Sequence, residues 1–151
     1  MLTVNGIEGL RQLVGQHIGW SEYREITQET VNQFADATGD HQWIHVDVER
    51  ATRESPFGGP IAHGYLTLSL APYFLPRMWR VEGFRLGVNY GCDKVRFPSP
   101  VPVGAKLRCG ATVDAVDDIP GGVQAKLTLT LECDGADKPS CVAEVLYRYY
   151  V

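Results

Sequence analysis

Two different periods divide the chain. In the first half, Ile7, Leu10, Leu13 and Val14 recur at helical spacing and predict a short N-terminal helix. After Gly19, residues 20–26 read as a strand. Thr27 is placed to cap a helix over Gln28–Thr38, whose Val31, Phe34 and Ala35 form one apolar face and which Gly39 ends. A loop follows, with a helical turn near 48–53, and then the punctuated stretch Ser55-Pro-Phe-Gly-Gly-Pro60. A third helix is expected from His63 and Gly64 onward. It is apolar on nearly every side (Tyr65, Leu66, Leu68, Leu70, Tyr73, Phe74 and Leu75), so it should be enclosed by the rest of the fold. Pro72 should kink it by removing an amide donor.

The second half alternates. Ala105, Leu107, Cys109, Ala111, Val113 and Ala115 share one parity, with Lys106, Arg108, Thr112 and Asp114 on the other. Beyond the turn at Ile119-Pro-Gly-Gly122, Val123, Ala125, Leu127, Leu129, Leu131 and Cys133 face one way, while Gln124, Lys126, Thr128, Thr130 and Glu132 face the other. Residues 85–97 and 142–151 add two strands with weaker alternation. A period of two sustained this long means long antiparallel strands with one wet and one buried face. Beside one all-apolar helix, they predict an α+β fold in which a long antiparallel sheet wraps around a central helix, the hot-dog architecture. No repeat or linker interrupts the sequence, so residues 1–151 are expected to form one domain.

Composition narrows the class. With 151 residues, 44% of them hydrophobic and 21% charged, the chain is long enough to bury roughly 68–70% of its unfolded surface without staples. Fourteen Lys and Arg against 18 Asp and Glu give a net charge of −4, which argues against a nucleic-acid backbone as partner. The cysteines Cys92, Cys109, Cys133 and Cys141 lack CxxC spacing, and three fall on apolar strand faces, as buried reduced thiols do. The N-terminal residues do not have the pattern of a signal peptide. The apolar run 61–75 contains His63 and Pro72 and falls short of the ~20 residues of a membrane span. A cytoplasmic protein without membrane contact is expected.

The candidate chemistry lies where the helical half ends. Besides His17, the histidines are His41, His45 and His63. The densest polar cluster, Thr38-Gly-Asp40-His41-Gln42-Trp43-Ile44-His45, begins on the loop where a helix stops. A carboxylate and an imidazole can together hold and polarise a water, one taking a proton and the other supplying one, although the spacing alone is common. Nearby, Gly58-Gly-Pro-Ile-Ala-His63-Gly64-Tyr65 leads into the apolar helix. The unpaired amide of Gly64 in a first helical turn can bind an oxygen that gains charge, although taken by itself the glycine reads first as a residue that permits tight packing. His41 and His45 form an H-x3-H pair that, with Asp40 or His63, has the residue types of a metal site. Gly39 breaks the helix such a pair needs, and no metal is expected. There is no G-x-S-x-G elbow, no cysteine next to a histidine and no glycine-rich phosphate loop.

These residues form a familiar pattern. Phe34-Ala-Asp-Ala-Thr-Gly-Asp40-His-Gln-Trp-Ile-His45-Val-Asp, followed by Phe57-Gly-Gly-Pro-Ile-Ala-His-Gly64, resembles the hydratase-2 signature of the MaoC-like dehydratases, which include the (R)-specific enoyl-CoA hydratases. Gly-Asp-His-Gln-Trp-Ile-His looks like the branch that includes nodulation protein N, and Asn89-Tyr-Gly-Cys-Asp-Lys-Val-Arg-Phe-Pro-Ser-Pro-Val-Pro-Val-Gly104 fits the same family. The resemblance spans about residues 20–150. It implies a hot-dog fold and the addition of water to a trans-2-enoyl-CoA, giving an (R)-3-hydroxyacyl-CoA with no cofactor beyond the CoA of the substrate. Asp40 and His45 become the catalytic dyad and the Gly64 amide the oxyanion donor. His63, Lys94 and Arg96 are candidate contacts for the substrate or its CoA. The Asn-Pro of many family members is replaced by Gln42-Trp43 at unchanged spacing, which bears on the pocket mouth; plain packing is the leading reading of Trp43. A homodimer is expected, with two chains pairing into one continuous sheet.

Two other functions compete. One is a non-catalytic acyl-thioester binding or accessory protein, which has no need of a water-activating pair. The other is a hot-dog thioesterase, which carries its carboxylate on the central helix; residues 63–79 contain no Asp or Glu.

Overall fold

From the N-terminus the elements are β1 (Leu2–Asn5), α1 (Gly6–Gln12), β2 (His17–Trp20), β3 (Arg24–Glu25), α2 (Gln28–Thr38), α3 (Trp43–Val46), α4 (Val48–Glu54), α5 (Gly64–Ser69), α6 (Ala71–Met78), β4 (Trp79–Glu82), β5 (Leu86–Arg96), β6 (Lys106–Ile119), β7 (Gly122–Cys133) and β8 (Cys141–Tyr150). They are seen in a computed structural model that describes residues 1–151.

The alternating half becomes an antiparallel sheet of order β2-β6-β7-β8-β5, with β3 also pairing β6. On β7 every second residue is buried, and Val123, Ala125, Leu127, Leu129 and Leu131 are fully enclosed. Leu127 stands between Val113 on β6 and Val145 on β8, so the inner face is a continuous apolar layer. On β6 the alternation changes step. A bulge between Val113 and Ala115 adds one residue, so Val116 rather than Ala115 faces inward. Such a bulge flips the side-chain parity beyond it. The turn joining β6 to β7 places Pro120 before Gly121, whose φ of +81° glycine adopts without steric cost.

The apolar helical segment lies on the inner face. Leu66, Leu70, Phe74, Leu75 and Met78 join Leu107, Leu127 and Leu129 in one core. It differs from the single kinked helix expected. The chain breaks at Leu70 into α5 and α6, and Pro72 sits in the first turn of α6, where a missing amide donor goes unneeded. Nor is the segment enclosed all round. Tyr65, Ser69, Pro72 and Pro76 form an exposed stripe, with Tyr65 73% exposed.

The first half departs from expectation in three further places. Residues 20–26 form no single strand; β2 and β3 are short pieces that both pair with β6. Leu2–Asn5 forms β1, which pairs in parallel with β4. The loop after Gly39 contains the helical turn α3. The α2 helix follows expectation: the Thr27 hydroxyl accepts from the Thr30 amide at 3.2 Å, a cap that contributes about 1 kcal/mol. At its other end, Gly39 takes a left-handed φ of +83°.

All four cysteines are free; Cys109, Cys133 and Cys141 are buried and Cys92 is exposed. Burial pushes the Cys109 thiol up to about 12 and that of Cys141 up to about 11, so both are unreactive. No helix is long and apolar enough to cross a membrane. β5 is an edge strand, and its Leu86, Val88 and Tyr90 are exposed.

Candidate active site

Helix α2 fixes the site from both ends. At its C-terminus the turn at Gly39 delivers Asp40, whose Oδ1 accepts from the Gln42 amide at 3.3 Å. At its N-terminus Gln28 reaches across to α3 and donates from Nε2 to the carbonyl of His45 at 2.8 Å. The same nitrogen donates to Asn32 Oδ1, while Gln28 Oε1 is enclosed without a partner. Sequence reasoning missed Gln28, and nothing in its local pattern distinguishes it from any other glutamine in a first helical turn.

The imidazole of His45 is oriented by one strong contact. Its Nδ1 lies 2.7 Å from the carbonyl oxygen of Ile61. A carbonyl only accepts, so Nδ1 carries the hydrogen and Nε2 keeps its lone pair. Nε2 has no partner in the chain, yet it is not enclosed. The residue as a whole is 6% exposed. Burial pushes its pKa below the ordinary 6.5, opposed by the Ile61 contact and reinforced by the nearby His63. The result is an imidazole that is neutral at pH 7, with the Nε2 lone pair free to accept a proton.

His63 caps α5 and is 3% exposed. Its ring stacks on His45 with centroids 3.9 Å apart and planes at 24°, while Phe34 of α2 covers it at 4.9 Å. Nε2 donates to the Asp40 carbonyl at 3.0 Å. So enclosed, His63 presents little surface to solvent, and the expected contact with substrate would be made through the narrow opening beside His45 and Asp40. A carboxylate oxygen of Asp40 and ring nitrogens of His45 and His63 lie within 4.8 Å of one another. The two expected dyad members converge, one half-exposed and the other at the edge of the interior.

Gly64 begins α5, and its amide donates to no backbone acceptor in the chain. A Cβ at this position would lie 3.1 Å from the Phe97 ring, closer than ordinary contact. The glycine therefore serves both readings, a free amide and tight packing. Beside it a cleft of about 300 Å³ is lined by Phe57, Ile61, Gly64, Thr67 and Phe97 among others. Ile61 connects cleft and dyad, because its carbonyl is the one that holds His45. A groove of about 360 Å³ along α6, at Pro72, Leu75, Trp79 and Tyr149, contains none of the expected site residues.

Other expected residues fall elsewhere. Lys94 and Arg96 stand opposite Glu144 and Val142 on β8, whereas Val95 between them stands opposite the buried Ala143. Cross-strand partners share a face, so Lys94 and Arg96 are on the outer side of the sheet and do not adjoin the dyad within one chain. His41 turns away from His45 to pair with Asp36 at 2.9 Å, and that hydrogen bond raises its pKa above 6.5. The H-x3-H pair thus does not assemble. Nor does the remaining cluster suit a metal, since His63 Nε2 carries a hydrogen and its Nδ1 is enclosed. That leaves Asp40 and His45 Nε2 open, two donors where a zinc site takes three or four protein ligands. Trp43 is half-buried under the Arg50 guanidinium, 4.2 Å from its ring, as a packing residue.

Comparison with known proteins places the chain in a family. Residues 10–132 match the family described as MaoC like domain. The chain is 50% identical to 3-hydroxyacyl-thioester dehydratase Z of Mycobacterium tuberculosis, over 99% of each protein. It is 44% identical to nodulation protein N of Rhizobium leguminosarum bv. viciae over 133 residues, 86% of this chain and 82% of that one. Among solved structures, an R-hydratase from Pseudomonas aeruginosa superimposes with a TM-score of 0.75, covering 96% of this chain and 85% of the other at 22% identity, a likeness of fold. On a family match over most of its length and half-identity to a dehydratase from end to end, the chain belongs to the MaoC-like dehydratases and has their hot-dog fold.

Proposed function

We propose that the chain catalyses the reversible addition of water to a trans-2-enoyl thioester of CoA, giving the (R)-3-hydroxyacyl thioester. The observation that carries this reading is the polarity of His45: Nδ1–H is committed to Ile61, leaving Nε2 as an open base beside the Asp40 carboxylate. Asp40 orients the water through one O–H while His45 Nε2 removes the other proton. The water oxygen bonds to C3 and the double-bond electrons move onto the thioester carbonyl as an enolate. The Gly64 amide donates to that oxygen; loss of such a donor typically costs roughly 2.7–4 kcal/mol. As the enolate collapses, C2 takes the proton back from His45, so water has been added and the protein is unchanged. The thioester itself supplies the electron sink, so the reaction calls for no further cofactor.

The 50% identical relative is named for the reverse direction, dehydration of 3-hydroxyacyl thioesters, which the same groups perform in reverse order. The thioesterase reading has nothing to stand on in α5 and α6, which contain no carboxylate. Loss of the enoyl absorbance of crotonyl-CoA and longer homologues tests the proposal. No loss at any chain length overturns it in favour of an accessory role, and release of free thiol overturns it in favour of hydrolysis.

The pH dependence has a definite sign. His45 works as base only when neutral, and its pKa lies below 6.5. The acid limb of kcat/KM for hydration is therefore centred below the ordinary imidazole value of 6.5. An acid limb centred at or above 6.5 contradicts the assignment of His45 as base.

The exposed edge of β5 supports a homodimer in which two such strands pair, covering Leu86, Val88 and Tyr90. Light scattering should then give twice the 16.7 kDa chain mass. A monomer at assay concentration overturns the pairing.

A further inference from the structure

We infer that His63 is a positioning residue that holds Asp40 and His45 in mutual register, an inference that rests on the hydratase reading above. Three contacts converge on this one side chain. Its Nε2–H donates to the Asp40 carbonyl at 3.0 Å, its ring face lies 3.9 Å from that of His45, and its main chain leads directly into Gly64. Its Nε2 is also 4.0 Å from Asp40 Oδ2, beyond hydrogen-bond length, so the carboxylate stays free for water while its backbone is held. Phe34 packs against the same ring, with centroids 4.9 Å apart and planes at 55°.

The unused nitrogen strengthens the case. His63 Nδ1 is enclosed and has no hydrogen-bond partner. An enclosed polar atom without a partner is unfavourable, and natural folds hold few of them. If the position served packing alone, phenylalanine would fill it without that cost. What phenylalanine lacks is the donor to Asp40. An imidazole supplies the donor and the flat face together, which is the combination both dyad members need.

Two substitutions separate these contributions. His63→Phe keeps a ring against His45 and removes the donor. His63→Gln keeps an amide N–H at the ε position and removes the ring. For crotonyl-CoA hydration, His63→Phe should lower kcat about tenfold or more at little-changed KM, and the acid limb of kcat/KM should move upward because the charge of His63 no longer lowers the His45 pKa. His63→Gln keeps the donor and should retain more of kcat, with the same upward movement of the acid limb, because the repulsion from the His63 charge is lost there too. The titratable groups facing His45 are Asp40 and His63; α2 presents the uncharged Gln28. Histidine NMR titration of both variants reports the His45 ionisation and tautomer without relying on turnover, and circular dichroism confirms that each is folded. A purely structural residue would alter thermal stability and leave both the kcat-to-KM split and the His45 titration alone. Wild-type rates and an unmoved His45 titration in the two variants, with wild type active, overturn this inference alone. An inactive wild-type chain overturns the hydratase reading and this inference with it.

Discussion

Asp40→Asn and His45→Gln each lower the hydration rate of a short trans-2-enoyl-CoA by about 100- to 10,000-fold, the range that a positioned acid or base contributes. Asparagine preserves the shape of Asp40 and the acceptor for the Gln42 amide, so the loop keeps its course while the charge that orients water disappears. His45→Gln removes the open Nε2 and also disturbs the buried contact to Ile61. It should therefore lose about 1–3 kcal/mol of stability as well as activity. His45→Asn provides the control, since its amide nitrogen sits at the δ position and can still donate to Ile61. The rates should fall in all three variants while far-ultraviolet circular dichroism stays native. If His45→Asn turns over at the wild-type rate, Nε2 is not the base.

Gly122→Ala has the largest expected effect on stability. A methyl group there would lie 1.9 Å from the carbonyl oxygen of Tyr149 and 3.0 Å from the Tyr150 Cα, both backbone atoms of β8. No rotamer change relieves such an overlap; β8 must separate from β7 where Gly122 pairs with Tyr150. Overpacking of this kind costs about 3 kcal/mol or more. At roughly 2–4 °C per kcal/mol for a domain of this size, the melting temperature should drop by about 6–12 °C. The overlap lies at the end of the sheet away from Ser140 and Val101, which line the cleft beside Gly64. Activity per folded molecule should thus be retained, and a melting temperature within about 2 °C of wild type, equivalent to about 1 kcal/mol or less, would refute the packing argument.

The sheet was legible because alternation acts locally: each inward residue of β7 is apolar, and its burial follows from parity alone. The meeting of Asp40 and His45 was anticipated through the resemblance of their motif to a family pattern, since the spacing alone is common. What escaped depends on partners distant in sequence. Leu2–Asn5 is too short to show a period and becomes a strand only because Trp79–Glu82 lies beside it. The bulge at Asp114 has no compositional mark. The face that Lys94 and Arg96 occupy is set by the pairing of β5 with β8, which their charge does not reveal. His63 was noticed as a histidine near the site, whereas its packing against Phe34 and His45 depends on the tertiary fold.

Helix α2 works as a calliper. Its eleven residues separate the Gln28 contact that steadies His45 from the turn that launches Asp40. Each residue inserted or deleted between these points would shift one jaw by about 1.5 Å and swing it through about 100°. The gap between carboxylate and imidazole is thus gauged by a rigid rod, and descendants of this sequence can vary the length of the 134–139 hairpin far more freely than that of this one helix.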